Sequence, residues 1–334
     1  MPGPVSPISP GSGPDRSADG GTWGERADAL VSAMEARGVD DARGKVRWLV
    51  SSLLGRSSLS AADAARAARP SPGQAARFAK AAARLLRHEP VQHVVGETEF
   101  FGLPFAVSPA VLIPRPETEL LVETAAEWLR ERGGKNLRVL DVGTGSGCIA
   151  VTLAKLFPAC EVAALDISPA ALEVAERNAC RHGAAIRFLE SDLFSAVHEE
   201  RFDLIASNPP YVPRAECETL SPTVRDFEPR GALDGGEDGL AVVSRLAAEA
   251  PGRLRLPGAL VLEIGDGQAE SVSRCLQRLQ PPPKVTARCD YAGIPRIVRA
   301  VFPAADSVSP VFPEPASPAR ASGRGAGHRG CWCS

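Results

Sequence analysis

The chain has 334 residues, with 38 lysines and arginines against 40 aspartates and glutamates and a formal net charge of −2. This length allows two domains, or one large domain with appendages. A charge this close to zero argues against a protein that binds nucleic acid mainly by neutralising phosphates, because such binding needs an excess or a stripe of basic residues. The sequence contains no run of about 18 apolar residues, so we expect no transmembrane helix and no membrane partner.

Both ends of the chain are rich in proline, glycine and serine. Residues 1–21 and 303–334 show no apolar period, and we predict that both are disordered tails. The N-terminus has neither the basic start nor the apolar stretch of a signal peptide, and the cysteines are scattered without a C-x-x-C pair. We therefore expect reduced thiols and a cytoplasmic protein.

Residues 22–90 have the apolar spacing of helices, with alanine, leucine and valine recurring every three or four positions. Ser71, Pro72 and Gln74 supply the cap, the first-turn proline and the capping-box partner of one helix. Residues 21–90 contain 12 lysines and arginines and 7 aspartates and glutamates. These charges are typical of solvated helix faces; the alternative is a surface that docks an acidic or ribosome-associated partner.

Residues 91–117 are predicted to link this helical domain to the rest of the chain. Short β-like runs flank Gly102 and predict a hairpin. Pro114 and Pro116 stiffen the loop that follows. Thr118 is expected to cap the next helix.

From residue 118 to residue 302, strand patterns alternate with helix patterns. The predicted strands are 137–142, 162–166, 186–190, 202–207 and 259–264. The predicted helices are 147–156, 169–181, 238–249 and 267–279. Such alternation predicts βαβ units and a mostly parallel sheet covered by helices on both faces. The final residues, 285–302, predict two further strands that form an antiparallel edge.

A strand that ends in Asp141 is followed by three alternate glycines, Gly143, Gly145 and Gly147, and then by a helix. Ligands bind at the carboxyl edge of a parallel sheet, and glycine lets the backbone turn tightly against a ligand. A dinucleotide-binding loop needs G-x-G-x-x-G, whereas the third glycine comes one residue early here, and the lysine of a Walker loop is absent. The D-x-G-x-G-x-G pattern instead resembles motif I of class I S-adenosylmethionine-dependent methyltransferases. On that resemblance, we expect S-adenosylmethionine to bind at Gly143, Thr144, Gly145, Ser146 and Gly147.

Two acidic residues downstream strengthen this interpretation. Asp166 ends the second strand, where a carboxylate can accept hydrogen bonds from both ribose hydroxyls. Ser168 is expected to cap the next helix, which should leave that carboxylate free. Asp192 ends the third strand, where the adenine should lie. The alternative role for each acid is a helix cap or a solvated loop residue.

The fourth strand is followed by Asn208, Pro209, Pro210 and Tyr211. Two consecutive prolines make a rigid, extended turn whose carbonyl groups have no helix or sheet partner. The NH2 of a planar amide or exocyclic amine can lie between the Asn208 side-chain oxygen and the Pro209 carbonyl, with Tyr211 stacked on the flat group. Two such acceptors shift electron density onto a poorly nucleophilic nitrogen and orient it for attack on a sulfonium methyl group. This chemistry needs no metal, and we expect none.

The Asn-Pro-Pro-Tyr segment resembles motif IV of amino-methyltransferases, which act on glutamine amides or on exocyclic base amines. Further motifs point to one family within that group. They occur at 90–96, 99–102, 112–119, 228–239 and 263–265. With these motifs, the chain resembles the peptide chain release factor glutamine N5-methyltransferases, the HemK/PrmC family, from about residue 25 to about residue 302.

The resemblance implies a class I methyltransferase fold, which is a Rossmann-like α/β domain with a mostly parallel seven-stranded sheet, here at 118–302, and a small N-terminal all-helical domain. It implies methylation of the glutamine amide in the Gly-Gly-Gln tripeptide of class I release factors, with residues 22–90 helping to recognise the release factor. We expect a monomer that binds no DNA directly.

The resemblance also assigns site residues. Asn208, Pro209 and Tyr211 would be catalytic, and together with Pro210 they would hold the target glutamine, with Asn208 between cofactor and substrate. One departure from the family is Leu193, since many members have an aromatic residue beside the adenine at this position. Stacking on the adenine would then pass to Phe194 or be replaced by aliphatic contact. Three further residues are expected at the entrance of the site. They are Arg115, Glu117 and Thr118.

Two alternatives compete with this interpretation. A DNA adenine N6-methyltransferase can use the same motif IV, but it must flip a base and usually carries a basic recognition domain. Here the segment after Tyr211 is acidic. A non-catalytic nucleotide-binding or dehydrogenase-type module is disfavoured by the position of the third glycine and by the Asn-Pro-Pro-Tyr segment.

Overall fold

The structure is a computed structural model and describes residues 21–55, 60–133 and 135–304. The predicted disordered tails therefore lie outside the described residues, apart from residues 21, 303 and 304. Among the residues that are described, no helix combines the length and the apolar character needed to cross a membrane.

Residues 21–55 and 60–96 contain five helices, which form the N-terminal part of the described structure. They are α1 (Trp23–Glu35), α2 (Ala42–Leu53), α3 (Ser60–Ala64), α4 (Pro72–Leu85) and α5 (Val91–Val95). The capping box predicted for α4 is confirmed, because Ser71 accepts from the backbone N–H of Gln74 and the Gln74 side chain accepts from that of Ser71. The helices share an apolar core in which Trp23 meets Phe78 edge to face, with ring centroids 5.8 Å apart.

A hairpin and a long helix connect this part to the sheet. Strands β1 (Glu97–Phe100) and β2 (Leu103–Ala106) pair antiparallel around Gly102, as predicted. Helix α6 runs over Pro116–Glu131 and has Arg115, not Thr118, at its N-cap. The expectation that Thr118 caps α6 is therefore wrong. Proline is favoured at the first helical position, so Pro116 starts the helix three residues earlier than a Thr118 cap would and leaves the Thr118 hydroxyl for other contacts.

The sheet has seven strands, of which five are parallel. In chain order they are β3 (Arg138–Val142), β4 (Glu161–Asp166), β5 (Ile186–Glu190), β6 (Phe202–Ser207), β7 (Leu254–Glu263), β8 (Lys284–Cys289) and β9 (Pro295–Phe302). Their order across the sheet is β5-β4-β3-β6-β7-β9-β8, and β9 runs antiparallel to both of its neighbours. The expected mostly parallel sheet with an antiparallel edge is confirmed.

Six helices accompany these strands. They are α7 (Cys148–Leu156), α8 (Pro169–His182), α9 (Arg214–Cys217), α10 (Pro222–Arg225), α11 (Ala241–Glu249) and α12 (Ala269–Gln277). One apolar cluster packs α6 and α7 on one face of the sheet, and a second packs α11 and α12 on the other. Successive strands run outward from β3 in one direction and from β6 in the other, so a crevice opens at the carboxyl ends of these two neighbours.

Strand β7 is longer than predicted, since it begins at Leu254 and not at residue 259. Pro257 and Gly258 interrupt the apolar pattern of its first half, and both residues weaken a strand signal. The structure accommodates them at an irregularity in the β6–β7 register, where pairing passes from Phe202–Leu254 to Leu204–Ala259.

Candidate active site

A cleft of about 420 Å³ lies at the carboxyl ends of β3, β4 and β6. Most of the predicted site residues line it. These are Gly143, Thr144, Gly145, Ser146, Asp166, Asp192, Leu193, Asn208, Pro209 and Pro210. Arg115 and Thr118, which were expected at the entrance, also line the cleft, whereas Glu117, Gly147 and Tyr211 are not part of its wall.

The glycine loop follows β3 and is held against β4. The backbone N–H groups of Gly143 and Thr144 both donate to the carbonyl of Leu165 at 2.8 Å. Gly147 has a φ of +79°, and a Cβ there would lie 3.1–3.2 Å from Cβ and Cα of Ala175 on α8. The third glycine therefore lets the loop approach α8 closely, which explains why Gly147 lies behind the cleft wall.

Asp141 lies beneath the loop and is fully buried. Its Oδ2 accepts from the Thr144 hydroxyl at 2.6 Å and from the Ala150 N–H at 3.2 Å, while its Oδ1 has no hydrogen-bond partner among the described residues. Burial raises the pKa of Asp141 to about 7. The side chain thus ties the glycine loop to the first turn of α7, a role that sequence reasoning did not assign.

Asn178 on α8 is a second anchor that sequence reasoning missed. Its buried amide donates to the carbonyl groups of Ser146 and Ala106 and accepts from the Ala106 N–H. One side chain therefore joins the glycine loop to the β1–β2 hairpin. A lone asparagine on a helix face carries no sequence signal for such a contact.

Asp166 lies at the end of β4, as predicted, but its carboxylate is not free. One oxygen accepts from the Gly145 N–H at 2.8 Å and the other from the Ser168 N–H at 2.9 Å. Ser168 does cap α8 by accepting from Ala171 N–H, so only the inference about the carboxylate is wrong. The turn after β4 folds its own backbone donors onto the acid. Each carboxylate oxygen has a second lone pair, so Asp166 retains acceptor sites on the cleft side.

The predicted adenine end is aliphatic. Phe194 is only 1% exposed and packs in the core, so of the two alternatives for the missing aromatic ring, stacking on Phe194 is wrong. Leu193 lines the cleft with a positive φ of 48°, and Ile167, which is 68% exposed, lies in the same wall. Asp192 forms a 3.0 Å ion pair with Arg245, a cleft residue that sequence reasoning missed.

Asn208 belongs to a hydrogen-bonded group that also contains the buried Thr118 and Glu263 and the half-buried Tyr211. The Asn208 Nδ2 lies 3.1 Å from the Thr118 hydroxyl, which in turn lies 2.7 Å from Oε2 of Glu263. The Tyr211 hydroxyl donates to Oε1 of Glu263 at 3.2 Å. Burial raises the pKa of Glu263 to about 7, although both hydroxyls oppose the shift. Burial, together with the Glu263 carboxyl group, also raises the pKa of Tyr211.

The turn around Tyr211 is held by close backbone contacts. The Gln268 side chain donates to the Tyr211 carbonyl at 2.9 Å and accepts from the Gly265 N–H at 2.9 Å. A Cβ at Gly239 would lie 2.3 Å from the Tyr211 carbonyl oxygen, and one at Gly235 would lie 2.8 Å from the Pro210 carbonyl oxygen. The segments at 228–239 and 263–265 therefore hold the Asn-Pro-Pro-Tyr turn in place.

Arg115 and Glu228 connect two sides of the entrance. The buried Glu228 carboxylate accepts from the Arg115 guanidinium and, at 3.1 Å, from the Ile113 N–H. This ion pair joins the loop before α6 to the segment between β6 and β7. The prolines of that loop predicted its stiffness, but not its acidic partner.

Comparison with known proteins agrees with this architecture. The family model described as "Methyltransferase small domain" matches residues 116–224, and the model described as "PrmC N-terminal domain" matches residues 28–96. The sheet order, the glycine loop at the end of β3 and these matches define a class I methyltransferase with an added helical domain.

Curated relatives identify the family. The release factor glutamine methyltransferase of Geobacter sulfurreducens is 43% identical over 78% of this chain and 90% of its own length. The proteins of the same name from Bordetella pertussis and Koribacter versatilis are 49% and 48% identical, over 68% and 67% of this chain and 83% and 78% of their own lengths. This chain belongs to the release factor glutamine methyltransferase family.

Proposed function

We propose that this protein transfers a methyl group from S-adenosylmethionine to the side-chain amide nitrogen (N5) of the glutamine in the Gly-Gly-Gln tripeptide of class I peptide chain release factors. The observation that carries the proposal is the position of Asn208. It begins a rigid turn at the end of β6 and shares one cleft wall with the glycine loop. Its Nδ2 is engaged by Thr118, so its Oδ1 is available to a substrate amide.

The cleft residues fit S-adenosylmethionine. The N–H groups of Gly143, Thr144 and Gly145 already donate within the protein, so the loop would offer carbonyl oxygens to the ammonium group of the methionine end. The remaining lone pairs of Asp166 suit the ribose hydroxyls. Ile167 and Leu193 provide aliphatic surface for the adenine in place of an aromatic ring, with Asp192 beside it. The bound cofactor supplies an electrophilic sulfonium methyl group.

Asn208 and Pro209 supply what the amide nitrogen lacks. The lone pair of the target glutamine's amide nitrogen is delocalised into the carbonyl group, so this nitrogen is a weak nucleophile. It becomes a better one when its hydrogens are held by acceptors and its lone pair is aligned with the methyl group. The Asn208 Oδ1 and the Pro209 carbonyl can each accept one N–H, while Pro210 stiffens the turn and Tyr211 anchors it through Glu263. Positioning of this kind contributes on the order of 7–11 kcal/mol in the best intramolecular cases. Transfer would leave S-adenosylhomocysteine as a neutral thioether, and the amide proton displaced by the methyl group would pass to solvent water.

The partner proposal extends to the helical part. Residues 22–90 would help hold the release factor across the entrance of the cleft. Arg115 lines this entrance, and Glu228 holds Arg115 in place. We further propose that the enzyme acts as a cytoplasmic monomer without direct DNA binding.

The function is tested by incubating the protein with radiolabelled S-adenosylmethionine and either purified release factor or duplex DNA. We expect label on the release factor only, and none when the glutamine of its Gly-Gly-Gln tripeptide is replaced by alanine. Label on DNA and none on the release factor would overturn the proposal.

A further inference from the structure

Asn208 is connected to a carboxyl group that does not reach the cleft. Glu263 ends β7, is 1% exposed and is not part of the cleft wall. Between Glu263 and Asn208 lies the equally buried Thr118 of α6. The path from carboxyl group to amide therefore consists of two hydrogen bonds, of 2.7 Å and 3.1 Å, through a single hydroxyl.

A hydroxyl has one hydrogen to donate, and this decides how the amide of Asn208 is oriented. An ionised carboxylate is an acceptor only, so Thr118 must donate to it and can offer Asn208 only a lone pair. Asn208 then has to present its NH2 to Thr118 and its carbonyl oxygen away from it. If Thr118 were free to donate to Asn208, the opposite orientation of the amide would be satisfied equally well.

We propose that Glu263 is a positioning residue which, through the Thr118 hydroxyl, sets the orientation of the Asn208 amide so that its oxygen faces the substrate. The inference rests on the proposed function for its catalytic consequence, since only an oxygen accepts the N–H of a glutamine amide. The orientation itself is a property of the protein without substrate.

The charge of Glu263 controls this orientation. Among the described residues, four titratable or charged groups face Glu263: Tyr211, Glu117 of α6, Arg296 of β9 and Cys148 of α7. The negative charge of Glu117 favours protonation of Glu263, whereas the positive charge of Arg296 opposes it. Both carboxylate oxygens already receive a hydroxyl hydrogen. A proton on Glu263 gives the carboxyl group a hydrogen that it can donate to Thr118, so Thr118 no longer has to donate to it and can donate to Asn208 instead. The oriented state therefore belongs to the ionised form and is lost as the pH falls through about 7.

The orientation can be observed directly by NMR. The chain has three asparagines, Asn136, Asn178 and Asn208, so a protein labelled with ¹⁵N at asparagine gives three side-chain NH2 pairs. Asn208→Ala identifies one pair by its loss. We expect the Asn208 pair to shift with pH around a midpoint near 7 in the wild type and to lose this titration in Glu263→Gln. The buried Asn178 pair, which bonds to backbone carbonyls, is the internal control.

Activity provides the second measurement. At saturating cofactor and release factor, kcat should fall as the pH falls through about 7 in the wild type. Glu263→Gln and Thr118→Val should lower kcat by about tenfold or more at high pH, with cofactor affinity changed much less, because one charge-assisted hydrogen bond is lost. Thr118→Ser should restore activity. Thr124→Val removes another buried hydroxyl of α6, which donates to the Leu120 carbonyl of its own helix and accepts from Arg288 of β8 at 3.4 Å but does not contact Asn208 or Glu263, and it should keep the kcat and pH profile of the wild type.

The two measurements separate the two proposals. If the wild type labels no release factor, the proposed function is wrong, while the NH2 resonances still report on the orientation. The inference is overturned if Glu263→Gln and Thr118→Val leave the Asn208 resonances in place. It is equally overturned if Glu263→Gln keeps the kcat and the pH profile of the wild type.

Discussion

Gly239 gives the sharpest test of how the Asn-Pro-Pro-Tyr turn is held. A Cβ at this position would lie 2.3 Å from the Tyr211 carbonyl oxygen and 2.8 Å from Nε2 of Gln268. Non-bonded heavy atoms pack at about 3.5 Å, so the Tyr211 backbone must retreat by roughly 1 Å. A misplacement of about 1 Å can cost about 100-fold in rate. We therefore expect Gly239→Ala to lower kcat by about 100-fold.

Gly267 offers a matched control for this variant. Both glycines have a φ of +76°, but a Cβ at Gly267 would meet nothing within 4 Å. Each alanine carries the strain of the left-handed region, about 1 kcal/mol, whereas Gly239→Ala adds about 1–3 kcal/mol of overpacking. Urea unfolding measures the stabilities of the two variants, and methyl transfer to release factor at saturating substrate measures kcat. Equal kcat values for Gly239→Ala and Gly267→Ala would refute this account of the turn.

Three further predictions concern the cleft. Asn208→Ala should abolish transfer while calorimetry finds cofactor affinity within about tenfold of the wild type, because one hydrogen bond at most is lost to the cofactor; unchanged turnover would remove the proposed amide clamp. Gly145→Val should fail at cofactor binding itself, since φ is +55° and the Gly145 N–H bonds to Asp166; normal affinity would contradict the loop's role. Asp141→Asn should make the free energy of unfolding less dependent on pH. In the wild type, the folded protein holds a proton on Asp141 between about pH 4 and about pH 7 that the unfolded chain has lost, so its free energy of unfolding falls as the pH rises through that range. Urea unfolding measures this free energy for both proteins across the pH range. If the difference between wild type and Asp141→Asn does not change with pH, the raised pKa of Asp141 is contradicted.

The sequence predicted features whose signal is local. The glycine loop, the Asn-Pro-Pro-Tyr turn and the hairpin around Gly102 are each encoded within a few consecutive residues, and the strand and helix periods around them gave the parallel sheet. Ser71 and Gln74 likewise predicted a capping box that the structure contains.

The contacts that orient the site were not predictable in this way. Thr118 and Glu263 are 145 positions apart, and only the packing of α6 against β7 brings them together. Thr118 has the residue type of a cap, but Pro116, two residues before it, takes the first helical position and makes Arg115 the cap. Phe194 follows Leu193 directly, but the left-handed backbone at Leu193 sends the two side chains to different places, one to the cleft and the other to the core.

The central claim is that the methyl group ends on a glutamine amide nitrogen, and mass spectrometry of the product tests it most directly. The enzyme would methylate the release factor with a cofactor that carries a CD3 methyl group. The product would then be digested, and the fragments containing the Gly-Gly-Gln tripeptide would be sequenced by mass spectrometry. The account predicts one labelled methyl group on the side-chain amide of that glutamine, and none with Asn208→Ala. A methyl group on any other residue of the release factor, with the glutamine unmodified, would contradict it.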